Sequence, residues 1–289
     1  MFVRHSVGDG EKRKLMTTID ITAEVQFRDA LLSKFRDIKV LGEESFVASP
    51  ADDFVNTSQT CVLLDMIDGT DLLKRDFSNW CSAVAIFDPS RRQIEGAYVG
   101  LADRWLYYAN DQGAYKIPLT ATGHAVPARQ MPATRLTAPT TVRKLRDAAI
   151  CMYGQKSGGF LRLLELSESK PKFYHWLKER AAEDAELKTL GQAEVPFRFY
   201  NLAGNPMMVR VCDGAVDVVV ELGGQLPHDV VAGAYIAIKA GAVIGSPDTY
   251  HIYTTEDLLN ASLNPATKRL RYILASSEIL YKDVLDILS

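Results

Sequence analysis

The sequence is poor in the features that define several protein classes. It has four cysteines in 289 residues, Cys61, Cys81, Cys151 and Cys212, and no two form a CxxC pair. That excludes a disulfide scaffold and a zinc ribbon, and it suits a reducing compartment. No stretch reaches the roughly 20 consecutive apolar residues of a membrane span. Residues 1–15 are charged and lack an apolar signal core, so the expectation is a cytoplasmic protein. Neither sign of charge dominates: 33 Lys and Arg stand against 36 Asp and Glu, a net charge of −3. A general nucleic-acid or membrane-surface binder is not expected from that balance. Repeats and low-complexity tracts are missing, as are GxxxxGK[ST], HExxH and GxSxG. What remains is ordinary globular composition, 47% apolar and 24% charged.

The chain divides by pattern. Asp20 to Phe35 reads as a helix with Ile21, Val25, Leu32 and Phe35 in one stripe and Asp20 as its cap. Cys61-Val62-Leu63-Leu64 reads as a buried strand ending at Asp65. Cys81 to Phe87, Ile94 to Gly100, Trp105 to Ala109 and Ala114 to Ile117 read as an antiparallel meander, with turns at Asp88-Pro89 and Asp111-Gln112-Gly113. Residues 118–146 are rich in Pro and Thr and read as a connection, so the expected halves are 1–140 and 141–289. In the second half strands at Ala148 to Tyr153, Val216 to Leu222 and Tyr272 to Ala275 alternate with helices. Those helices are expected at Phe160 to Leu166, Tyr174 to Leu190, Asp229 to Ala240 and Glu278 to Leu288. An antiparallel block followed by alternation predicts stacked helical and sheet layers.

The chemistry concentrates in Leu64-Asp65-Met66-Ile67-Asp68-Gly69-Thr70. Two carboxylates three apart follow a buried strand, and Gly-Thr then supplies a turn whose N–H groups can face an anion. Carboxylates alone repel a phosphate; carboxylates holding divalent cations attract it. Oxygen donors with no His or Cys among them favour Mg²⁺ over Zn²⁺. Glu43, in Gly42-Glu43-Glu44-Ser45, and Asp229, in Pro227-His228-Asp229, are the further acidic candidates. Each acid alone also reads as a cap, a turn residue or a solvated surface group. Other phosphatase patterns fit poorly. The haloacid-dehalogenase Asp-x-Asp-Gly-Thr would need an acid at Met66, and Val3-Arg4-His5 is followed by Ser6 rather than Gly.

Gly-Glu-Glu, then Asp-x-Ile-Asp-Gly-Thr, then a distant Asp before an Ala/Gly-rich helix, resembles the inositol monophosphatase family. These are lithium-sensitive, magnesium-dependent phosphatases, grouped with fructose-1,6-bisphosphatases and bisphosphate nucleotidases. Thr17-Thr18-Ile19-Asp20, Gly113-Ala114-Tyr115, Val216-Asp217 through Glu221-Leu222-Gly223, and Ile273 to Ser277 extend the resemblance. The chain departs from the family pattern at Met66 (usually Pro), at Asn205 (usually Ser or Thr) and at His228 (usually Trp). Residues 155–196 are longer than the usual connection.

The resemblance implies a five-layer αβαβα sandwich and hydrolysis of a small phosphomonoester, an inositol or sugar phosphate, with two or three Mg²⁺ ions. It implies metal binding by the side chains of Glu43, Asp65, Asp68 and Asp229 and by the carbonyl of Ile67. Thr70, paired with Asp20, would position and deprotonate a metal-bound water, and Gly69 and Thr70 would give backbone N–H groups to the phosphate. Glu221, Gly204 and Asn205 would face the leaving alcohol, and His228 would flank the pocket. A homodimer with a small phosphorylated substrate, and with no nucleic acid or membrane partner, completes the expectation. Two alternatives stay open from the sequence. One is a bisphosphate substrate, such as fructose 1,6-bisphosphate or 3′-phosphoadenosine 5′-phosphate, with Arg75, Arg104, Arg198, Arg210 and Lys12 to Lys14 as candidate anchors. The other is a catalytically weak binding module of the same fold.

Overall fold

Strand after strand from residue 38 to 136 pairs with its neighbour in sequence. The computed structural model describes residues 18–48, 57–73, 76–122, 124, 125, 127, 132–139, 144–154, 161, 165–190, 197–265 and 268–289. The Lys12 to Lys14 run, Arg75 and much of 155–165 lie outside these residues. β1 (Ile38–Gly42), β2 (Thr60–Asp68), β3 (Cys81–Asp88), β4 (Gln93–Leu101), β5 (Trp105–Asn110), β6 (Gly113–Pro118) and β7 (Thr134–Leu136) form one sheet in that order. Only β1 and β2 run parallel. The expected meander is therefore present. β7 is an addition, since the Pro- and Thr-rich stretch read as a connection donates a strand to β6.

A second sheet holds β8 (Ala149–Met152), β9 (Arg198–Tyr200), β10 (Val218–Gln225), β11 (Val243–Gly245) and β12 (Leu270–Ala275), in the order β11-β12-β10-β8-β9. The short β9 and β11 have too few apolar residues to stand out in sequence. The helices are α1 (Thr18–Lys34), α2 (Glu43–Ala48), α3 (Thr70–Leu73), α4 (Leu166–Ser169), α5 (Pro171–Thr189), α6 (Asn205–Cys212), α7 (Val231–Lys239), α8 (Thr255–Ser262) and α9 (Glu278–Leu288).

Side-chain alternation along the strands sorts these elements into layers. Leu63 on β2 and Val219 on β10 point into the largest core, where they meet Met208 of α6 and Ala234 and Ile236 of α7. Val62 and Leu64 point the other way and pack with Phe27 and Leu31 of α1. Val218 and Val220 also point outward, toward Phe173 of α5 and Leu280, Val284 and Leu288 of α9. The order is helix, sheet, helices, sheet, helices, the expected αβαβα sandwich.

Several local expectations are corrected. The stripe Ile21, Val25, Leu32 and Phe35 does not face the core; Val25, Leu32 and Phe35 are exposed. The inward face of α1 is Asp20, Glu24, Phe27 and Leu31, because two carboxylates are needed inside and apolar periodicity cannot register them. Asp20 lies within the first turn of α1 rather than before it. β2 does not stop at Asp65 but continues through an irregularity to Asp68. α5 starts at Pro171 rather than at Tyr174, since a first-turn proline has no intrahelical N–H bond to lose. Asp229 closes a 3-10 turn, Pro227–Asp229, ahead of α7.

A candidate metal centre between the sheets

β2 delivers the central carboxylates. Its regular pairing with β3 is interrupted between Asp65 and Asp68, so both acids project toward the same space. Asp65 is buried, and its Oδ1 accepts the Ile67 N–H at 3.0 Å. The Ser82 hydroxyl holds the Met66 carbonyl at 2.7 Å and stiffens the distortion. Beyond Asp68 the chain turns at Gly69, whose φ of +102° is a left-handed conformation that glycine adopts without strain. The Thr70 hydroxyl then lies 3.2 Å from Asp20 Oδ1 and 3.1 Å from the Ile67 carbonyl.

Asp229 reaches the same space from the far half of the chain. Its Oδ2 accepts the Leu226 N–H at 3.3 Å. One oxygen each from Asp65, Asp68 and Asp229 lie within 4.8 Å of one another. A second set, Glu43, His228 and Asp229, meets the same criterion. Asp229 belongs to both sets, so the two are adjacent. Burial first, and the charge of Asp229 second, push the Asp68 carboxyl up to about 7, against hydrogen bonds from Asn205 and the nearby His228. Crowded carboxylates of this kind are the donor set a divalent cation requires.

Glu24 is a residue the sequence reading missed. It is buried on α1, and its carboxylate accepts the Glu44 N–H at 2.8 Å and the Ser45 N–H at 3.0 Å, together with the Ser45 hydroxyl. It therefore caps α2 and fixes the backbone that carries Glu43. A Cβ at residue 42 would collide with this carboxylate, which explains Gly42. The available signal was the spacing Asp20-x-x-x-Glu24, one helical turn on one face.

The structure places the remaining expected residues as follows. Gly204 has φ of +82°, and a Cβ there would stand 3.1 Å from Asp68 Oδ2. Asn205 is fully buried. Its backbone N–H reaches Asp68 Oδ2 at 3.1 Å, and its Nδ2 lies 3.2 Å from the same oxygen and 2.9 Å from the His228 carbonyl. Its Oδ1 accepts the Gly233 N–H at 2.8 Å. The amide thus binds protein groups on three elements. Glu221 is buried, and its Oε1 accepts the N–H groups of Gly223 and Gly224. His228 lies within the acidic cluster, its Nε2 3.6 Å from Glu43 Oε1 and 3.7 Å from Asp229 Oδ1. The imidazole therefore stands beside the carboxylates. Among the candidate basic anchors, Arg210 pairs with Asp103 and Asp213, and the Nη1 of Arg198 donates to its neighbour's carbonyl, Phe197 O.

By sequence, no family model and no curated protein matches the chain. By structure, an IMPase/NADP phosphatase complexed with Mg²⁺ and phosphate aligns over 100% of this chain and 86% of its own, with a TM-score of 0.64 and 17% identity. This is the inositol monophosphatase fold. A Ca²⁺-bound IMPase family protein from Staphylococcus aureus aligns at TM-score 0.64 and 17% identity, over 98% of this chain and 85% of its own. A dual-specific IMPase/NADP phosphatase bound with D-inositol-1-phosphate aligns at 0.61 and 18%, over 95% and 84%. At such identity the likeness establishes the inositol monophosphatase fold and leaves the chemistry to the residues of the site.

Proposed function

We propose that this protein is a Mg²⁺-dependent phosphatase acting on a small phosphomonoester, an inositol or sugar phosphate. The observation that carries the reading is convergence. Asp65, Asp68 and Asp229 meet in one set, and Glu43, carried by α2, joins Asp229 in an adjacent one. Clustering acids there costs folding free energy unless a cation compensates. The structural neighbours include proteins crystallised with Mg²⁺ and phosphate and with D-inositol-1-phosphate, which supports the same class.

Divalent cations at this centre would neutralise phosphate charge and make hydroxide available near neutral pH. The side chains of Glu43, Asp65, Asp68 and Asp229, with the Ile67 carbonyl, would hold them. Thr70 is set between Asp20 and Ile67, so its hydroxyl can take a proton from an attacking water as its own passes to Asp20 Oδ1, 3.2 Å away. The backbone N–H groups of Gly69 and Thr70 are assigned to the phosphate. Gly204 lets the chain pass close to Asp68, Asn205 is a clamp behind Asp68 rather than the alcohol contact expected of it, and Glu221 is assigned to the far side, toward the leaving alcohol. The same reading carries two or three Mg²⁺ ions and a cytoplasmic homodimer, the latter checked by light scattering on the eluting protein.

The test is phosphate release from a panel of inositol, sugar and nucleotide phosphates with and without Mg²⁺. Wild type is expected to turn over at least one monoester only with the ion. Asp68→Asn is expected to reduce release to background while the far-UV circular dichroism is retained. Equal turnover by wild type and Asp68→Asn would overturn the assignment.

A further inference from the structure

The donor set is chemically lopsided. Asp65, Asp68 and Asp229 present only oxygen. Glu43, His228 and Asp229 present oxygen and an imidazole nitrogen. The His228 side chain is 1% exposed, so the ring sits in the protein rather than on the rim of a pocket. Its Nε2 is 3.6 Å from Glu43 Oε1 and 3.7 Å from Asp229 Oδ1. Both separations exceed a hydrogen bond. They approach the edge of a small coordination polyhedron, since donors about 2.1 Å from a tetrahedral ion stand about 3.4 Å apart. The His228 carbonyl is pinned by Asn205 Nδ2 at 2.9 Å, and Asp229 Oδ2 is held by the Leu226 N–H at 3.3 Å. The backbone that aims the ring is thus braced on both sides of residue 228.

We propose that Glu43, His228 and Asp229 form a nitrogen-containing cation site beside the all-oxygen one, and that it selects a first-row transition ion over Mg²⁺. Imidazole is a borderline donor that binds Mn²⁺, Co²⁺ and Zn²⁺ better than the hard Mg²⁺. Asp229, common to both sets, bridges the unlike sites. The proposal deepens the phosphatase reading and shares with it only the premise that the cluster holds cations.

The experiment loads chelator-treated protein with Mn²⁺ and measures electron spin-echo envelope modulation, alongside calorimetric titrations of Mn²⁺ and Mg²⁺. Wild type is expected to show modulation from a directly bound imidazole nitrogen. In His228→Leu the modulation should vanish and the preference for Mn²⁺ over Mg²⁺ should fall by roughly tenfold or more, with thermal melts confirming the fold. Mn²⁺ bound by wild type without nitrogen modulation overturns the proposal and leaves the Mg²⁺ phosphatase standing. Modulation that persists in a folded His228→Leu variant overturns it by assigning the nitrogen elsewhere. Failure of any divalent ion to bind removes both readings. Nitrogen coordination in a protein that releases no phosphate from the panel keeps this site and removes the phosphatase.

Discussion

Asn205 shows how one amide can organise a site without touching a ligand. Its three side-chain hydrogen bonds tie Asp68, the His228–Asp229 turn and α7 to the start of α6. Asn205→Leu keeps the volume and leaves these buried groups without their partner, at about 1–3 kcal/mol each. The expected result is a loss of several kcal/mol in urea unfolding, together with weaker Mg²⁺ binding by calorimetry. Gly204 is the neighbouring constraint. Gly204→Ala forces a left-handed conformation costing roughly 1–2 kcal/mol, and its methyl group crowds Asp68 Oδ2. Its metal affinity should fall by about 10–100-fold, the usual effect of disturbing a ligand's supporting contacts.

At the scale of elements, α1 separates apolar pattern from actual orientation. Its exposed apolar residues can be changed cheaply: Val25→Lys and Leu32→Lys should each move stability by no more than about 0.5 kcal/mol. Glu24→Ala should behave differently despite being polar. It removes the cap from α2, at about 0.5–2 kcal/mol, and loosens the Glu43 backbone, so the Mg²⁺ titration should weaken too. The cap of α8 offers a control that includes none of the proposed ligands. Thr254 accepts the Asp257 N–H at 3.2 Å and Asp257 returns the bond to the Thr254 N–H at 2.7 Å. Thr254→Ala should cost about 1 kcal/mol and leave metal binding unchanged.

For the whole molecule, cation binding and folding are linked, because the acidic cluster exists only in the folded chain. Mg²⁺ at a hundred times its dissociation constant should stabilise the protein by about 2.7 kcal/mol, and a chelator should remove that increment in a thermal melt. All four cysteines are buried and free. Burial pushes the Cys61 and Cys151 thiols up to about 12 from an ordinary 9.0. The folded state then holds protons that the unfolded state gives up. The contribution of these thiols to stability should be constant below pH 9 and decline from there toward pH 12. A thiol reagent at pH 8 should label none of the four before unfolding.

The sequence by itself determined the meander, the principal strands of the second sheet and the closing helix. Period-two and 3.6-residue alternation is a local property, and burial of one face enforces it wherever the chain lies. The acidic motif was legible for the same reason, since Asp65, Asp68, Gly69 and Thr70 adjoin one another in the chain. Only the tertiary structure decided which face of α1 turns inward, that Glu24 caps another helix, that Asn205 is a clamp, and that His228 joins Glu43 and Asp229. Each of these depends on groups far apart in sequence, and the free energy of a buried polar contact is set by where its partner stands in space.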